Sequence, residues 1–197
     1  MPEDSRPRTL ADAPSLRALS HPVRLALLEA LLGGPLTATA AGELIGESPT
    51  TCSFHLRQLA RYSFVEETGG GRGRSRPWRL THVGWNAPAR PDDPDFTRAA
   101  QVLDQVLLDR QFARIRRFVD AAPTYPAAWQ SAATGHTTVL HLTAAEVTEM
   151  AAAYREVAER FRARWAQRNE HPEQRPDGTL PVEVLIGIYP VDAPPAR

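Results

Sequence analysis

The chain has 197 residues, 42% of them hydrophobic and 23% charged, with 23 basic and 23 acidic side chains; this is the composition of an ordinary globular protein and speaks against a disordered, collagen-like or membrane chain. No apolar run approaches the ~20 residues that span a bilayer, and the opening MPEDSRPRTLADAP lacks the apolar centre of a secretory signal, so a cytoplasmic location is expected. The lone Cys52 excludes an intramolecular disulfide and any multi-cysteine metal cage, which leaves the fold to hold by packing.

Taken in chain order, SLRALSHPVRLALLEALLGG sets Leu16, Leu19, Val23, Leu27, Leu28, Leu31 and Leu32 at helical spacing and reads as two helices. Pro22 suits a helix start, where its missing N–H costs nothing, and Gly33-Gly34-Pro35 ends the second helix. A short helix over 38–45, closed by Gly46, is expected to turn Ala41, Leu44 and Ile45 inward. Ser48 as N-cap and Pro49 as first residue open the next, on which Cys52, Leu56 and Leu59 recur at i, i+4 and i+7 as one apolar seam. Thr50, Ser53, Phe54, Arg57 and Arg61 share the outer face, a surface short and polar enough to approach a groove of DNA. Two strands, at 64–68 and 78–81, then form a hairpin with a long Gly- and Arg-rich tip.

The zero net charge hides an uneven distribution. Residues 1–90 carry 11 Arg against 8 acids and residues 91–197 carry 12 Arg against 15 acids; Arg72, Arg74, Arg76 and Arg79 cluster in the hairpin with no acid between them.

Residues 83–95, VGWNAPARPDDPD, are dense in Pro and Asp and read as a linker. A long helix over 96–121 then carries Ala99, Val102, Leu103, Val106, Leu107, Phe112, Ile115, Phe118 and Val119. That stripe is broader than a helix needs to sit on a small module, so part of it is expected to form a dimer surface. TTVLHLT, residues 137–143, alternates like a strand, and Thr143 with Glu146 makes a capping-box pattern ahead of a helix with the seam Val147, Met150, Tyr154, Val157, Phe161 and Trp165. PVEVLIGIYPV, residues 181–191, reads as a second strand able to pair antiparallel with 138–142. The expected architecture is therefore α+β: a winged helix-turn-helix domain over 10–82, a linker over 83–95, and over 96–191 a long dimerisation helix with a small strand-helix-strand unit.

The HPVRLALLEAL helix, the SxHLxxL pattern at Ser53 to Leu59 and the Arg-rich hairpin, in that order within residues 15–82, resemble the winged-helix transcriptional regulators of the ArsR type. Ser63 stands at a turn where many of these have Gly. The resemblance implies that helix 50–61 enters the major groove of double-stranded DNA, with Thr50, Thr51, Ser53, Phe54, His55, Arg57 and Arg61 near base edges or phosphates. It implies a wing whose Arg72, Arg74 and Arg76 approach the adjacent minor groove. It also implies a homodimer through 96–121 that presents two recognition helices ~34–36 Å apart to a palindromic operator, as a repressor does. Metal-sensing relatives use clustered Cys, or Asp and His pairs on the dimer helix. Here 38–45 has no Cys and 96–121 offers Asp104 and Asp109 without His, so no metal site and no cofactor is expected. Any small-molecule effector is expected to act through 96–191.

Several residues have a plainer reading beside the functional one. Cys52 is a small core hydrophobe on its seam, with a redox thiol as the alternative. His55 either touches phosphate or ties its helix to the module, and His136 and His141 read as structural or solvent-facing. Met150, Tyr154, Phe161 and Trp165 read as core, with an apolar effector pocket as the alternative. No nucleophile elbow, phosphate-binding glycine loop, paired carboxylates or metal-ligand spacing points to an enzyme. Zero net charge keeps open a protein-interaction adaptor that uses the winged-helix scaffold without specific DNA readout.

Overall fold

The computed structural model describes residues 7–69, 76–170 and 175–192, and the chain divides into two compact units, residues 1–120 and 121–197. In the first, strand β1 (Arg8–Thr9) precedes helices α1 (Ala13–Leu19), α2 (Pro22–Ala30), α3 (Ala38–Ile45) and α4 (Pro49–Arg61). Strands β2 (Val65–Glu67), β3 (Trp78–Leu80) and β4 (Trp85–Asn86) follow, and then the long helix α5 (Pro94–Ala121).

Local chemistry sets where these helices begin. A side chain accepts from an otherwise unpaired N–H of the first turn in each of the first four: Asp12 from Ser15 at 2.8 Å, His21 Nδ1 from Val23 at 3.2 Å, Thr37 from Ala40 at 3.2 Å and Ser48 from Thr51 at 3.0 Å. α3 ends at Gly46, whose left-handed φ of 76° lets its N–H return to the Gly42 carbonyl at 2.9 Å.

The core of this unit is built where the apolar faces of the helices meet. Leu16 and Leu19 of α1, Leu27 of α2, and Cys52, Leu56 and Leu59 of α4 are wholly buried together, with Phe64, Val65, Trp78 and Leu80 closing one side. β2 and β3 pair antiparallel, Val65 opposite Leu80 and Glu66 opposite Arg79, so that the alternation sends the apolar pair inward and the ion pair out. Leu36 exchanges two backbone hydrogen bonds with Trp78, at 2.8 and 3.0 Å, and so takes the place of a third strand. This is a winged helix-turn-helix.

Three features depart from the sequence reading. Leu44 is exposed, not inward, because α3 meets its neighbours through Ala41 and Gly42 and leaves Leu44 beyond the contact. Residues 83–95 are more than a linker: Trp85-Asn86 pairs in parallel with Arg8-Thr9, and Leu10, buried, donates its N–H to Asn86 at 2.8 Å. The start of α5 joins the first core through Phe96, Ala99 and Leu103, capped by Asp93, which accepts from the Phe96 N–H at 2.9 Å. Further along, Arg110 donates to Glu29 of α2 at 2.6 Å and to the Pro22 carbonyl at 3.1 Å, and Arg114 donates to the same Glu29 carboxylate. Beyond Leu107 the α5 stripe leaves the core, and Leu108, Phe112, Ile115 and Val119 are exposed.

The second unit contains α6 (Ala127–Ala132) and α7 (Ala144–Glu170). The capping box forms: Glu146 accepts from the Thr143 N–H at 2.7 Å, and the Glu146 N–H reaches Thr143 Oγ1 at 3.3 Å. The two strands expected at 137–143 and 181–191 do not form. A strand exists only with a ladder partner, and among the described residues these segments form no ladder, with Val139, Leu140, Val182, Val184 and Tyr189 exposed. None of the described residues from 121 to 192 is buried except in part, so the α7 seam Tyr154, Val157, Phe161 and Trp165, expected as core, lies at the surface. No helix among the described residues is long and apolar enough to cross a membrane.

Gly42 of α3 sits tightly against the turn that leads into α4. A Cβ there would lie 2.5 Å from the Glu47 carbonyl oxygen and 3.6 Å from Cys52 Sγ. Alanine is the better helix former by about 1 kcal/mol, but the clash is with backbone, and overpacking of this kind costs about 1–3 kcal/mol. Gly42→Ala is therefore expected to lower stability in urea unfolding; a rise would show that the turn can yield.

Candidate nucleic-acid interface

With Cys52, Leu56 and Leu59 fixed inward, the 100° step per residue leaves Thr50, Phe54, Arg57 and Arg61 exposed on the far side of α4, flanked by half-buried Thr51 and Ser53. The structure thus brings these six of the expected contact residues onto one surface. Arg57 is laid along the helix, its Nε donating to the Ser53 carbonyl at 3.2 Å and Nη2 to Ser53 Oγ at 2.8 Å. Thr51 Oγ1 is engaged with Ser48 Oγ at 2.8 Å. At the far end, Arg8 donates to the Tyr62 carbonyl, with its guanidinium 4.8 Å above the Phe64 ring, so an N-terminal cation caps the end of α4. Ser63 follows with φ 57°, the left-handed turn conformation that glycine adopts most easily.

His55 is not on this surface. It is 8% exposed and stacks on His21 with ring centroids 4.4 Å apart, so the alternative in which it ties α4 to its own module is the one found. Its other neighbour is Phe54, met edge-on at 5.1 Å and 78°. His55 Nδ1 and Arg24 Nε are both buried without a hydrogen-bond partner. Cys52 is wholly buried, and burial first, then the Glu47 carboxylate, pushes its thiol up from the ordinary value, the setting of a packed hydrophobe and an unreactive thiol.

In the wing, Arg72 and Arg74 lie outside the described residues. Arg76 is exposed and paired with Glu67 at 3.4 Å, and Arg79 with Glu66 at 2.7 Å. Exposed pairs of this kind are worth only ~0–1 kcal/mol, so a phosphate can take either arginine at little cost. Among the described residues no three His, Cys, Asp or Glu side chains come together to hold a metal ion, and burial raises the Asp104 carboxyl above its ordinary value. The residues that sequence reasoning missed are His21 and Arg8, whose partners lie 34 and 54 positions away, 55 − 21 and 62 − 8. Only the helix-start position of His21, ahead of Pro22, was a local signal.

Residues 19–68 match the helix-turn-helix domain family, a stretch that spans α2, α3, α4 and β2. No curated protein matches the chain. Among solved structures, the PcaV transcriptional regulator from Streptomyces coelicolor, in complex with its natural ligand, is 20% identical, over 69% of this chain and 72% of that one. Its TM-score is 0.29, too low for the likeness to bear on function.

Both imidazoles of the stacked pair are held below the ordinary value of 6.5. For His21 the cause is burial and then Arg24; for His55 it is burial, then His21 and Arg24; Glu47 opposes both. The unfolded chain therefore takes up protons first as pH falls. Stability is complete above 6.5 and is lost below it, down to the lowered value of the folded state. The urea midpoint is expected to decline as pH is lowered from 7 towards ~5, and His55→Gln should flatten that decline. An unchanged slope in the variant would remove His55 from the cause.

Proposed function

We propose that this chain is a sequence-specific, double-stranded-DNA-binding transcriptional regulator of the ArsR type. In this reading it represses by occupying a palindromic operator as a homodimer. The observation that carries it is the outer face of α4, where Thr50, Phe54, Arg57 and Arg61 stand exposed on a helix whose opposite face is locked into the core. A helix-turn-helix presents that face to the major groove while the preceding helix crosses the backbone. The match of residues 19–68 to the helix-turn-helix domain family supports it. Arg57, held in place by Ser53, is the candidate for a two-pronged contact to guanine, and Arg76, with Arg72 and Arg74, supplies the wing.

The homodimer is supported by the exposed apolar stripe of α5, Leu108, Phe112, Ile115 and Val119, and by a second unit in which none of the described residues is fully buried. Surfaces of this kind suit an obligate interface, which is more apolar than a transient one. On this reading residues 10–82 read DNA, and residues 96–191 assemble the dimer and receive any effector.

The test is to select bound duplexes from a random pool with the full-length protein. An enriched, two-fold symmetric sequence is expected, with the logarithm of affinity falling linearly against the logarithm of salt. Arg57→Ala should weaken binding about 5- to 150-fold and relax selectivity at one base, whereas removing Arg72, Arg74 and Arg76 together should weaken all duplexes and lower the salt slope. Retention of DNA at low salt with no enriched sequence would instead favour an adaptor without base readout. Sedimentation should give twice the chain mass, and Phe112→Glu should reduce it to the single chain.

A further inference from the structure

Phe54 is anomalous on the face where it stands. It is 56% exposed, lies between Thr50 one turn before and Arg57 one turn after, and is the one large apolar side chain of that surface. Nothing in the core needs it, because the seam of α4 is complete with Cys52, Leu56 and Leu59. Its ring is nevertheless directed: it meets His55 edge-on at 5.1 Å and 78°, and His55 is buried and stacked at 4.4 Å on His21, the N-cap of α2. A histidine pair, one ring buried and the other half-buried, thus supports an apolar ring that stands more than half exposed.

Among the base edges of the major groove, thymine alone adds an apolar group, the C5 methyl; adenine, guanine and cytosine present donors and acceptors. The polar neighbours of Phe54 are suited to those donors and acceptors, with Arg57 pinned by two bonds to Ser53. The geometry points to Phe54 as a specificity-determining residue that packs its ring on the C5 methyl of a thymine in the bound duplex, with the His21–His55 stack holding the ring in position. This inference rests on the DNA-binding reading and adds to it the base class that the centre of α4 selects.

The experiment takes the duplex selected from a random pool by the full-length protein and replaces its thymines by uracil one at a time, which removes the methyl and keeps the base pairing. At one thymine per half-site the wild-type protein is expected to lose about fourfold in affinity, the ratio that burial of one methyl-sized apolar group gives. Phe54→Ala should bind the thymine duplex more weakly by at least as much and should no longer distinguish thymine from uracil there. Phe54→Leu, which keeps an apolar contact, should restore the distinction. Because the ring is more than half exposed and outside the core seam, both variants should still unfold cooperatively in urea, and Phe54→Leu near the wild-type midpoint, so a loss of binding is not a loss of fold. An enriched sequence in which no thymine-to-uracil change alters affinity would overturn this inference and leave the DNA-binding reading standing, as would a Phe54→Ala variant that keeps the distinction. No enriched sequence at all would overturn both.

Discussion

Gly42 of α3 packs against the turn that leads into α4, and the placement of α4 depends on that approach. The missing side chain lets the Glu47 carbonyl come to a distance that no Cβ tolerates, with the Cys52 sulfur packed below. Cys52 meets the same position with a small, polarizable side chain, its Sγ 3.6 Å from where that Cβ would stand. The rotation of α4 about its own axis is set by its seam, since Cys52, Leu56 and Leu59 all enter the same core. The exposed row of Thr50, Phe54, Arg57 and Arg61 is the geometric complement of that burial. A polar surface held by an apolar seam needs no further machinery to be presented to a partner.

The second consequence runs through α2. Its N-cap, His21, stacks on His55 of α4, and its last turn carries Glu29, which accepts from Arg110 and Arg114 of α5. α2 is therefore held to α4 at its N-cap and to the long helix both at Pro22 and at Glu29. Phe96, Ala99 and Leu103 make the same link through the core. In the proposed dimer, contacts made on the exposed part of α5 would be carried into the orientation of α4 by packed elements, without a flexible joint between them. The partly buried charge pairs at Glu29 hold this register better than exposed pairs would, because their geometry is constrained on both sides.

The second unit follows a different logic. α7 has a regular apolar seam and a formed capping box, so the helix is locally well specified. Within the described residues of this unit, nothing buries that seam. The segments 137–143 and 181–191 have strand-like alternation, yet they find no ladder partner, and alternation supplies only the side chains of a strand. Apolar surface left open in this way is characteristic of chains that complete their core by association.

Much of the first unit was legible locally. Ser48, Pro49 and the i, i+4, i+7 seam mark where α4 starts and which face it buries, and Thr143 with Glu146 marks the start of α7, because caps and helical periodicity involve residues within one or two turns. The winged hairpin was legible for the same reason, from two alternating segments close in sequence. Tertiary structure alone decided the pairing of Arg8-Thr9 with Trp85-Asn86, the contact of His21 with His55 that withdraws His55 from the exposed face of α4, and the exposure of Leu44. Each of these depends on which faces meet after tens of intervening residues have folded, and periodicity says that a face is apolar without saying what will cover it. That is also why the long helix could be read in full from the sequence while the division of its stripe, half in the first core and half at the surface, could not.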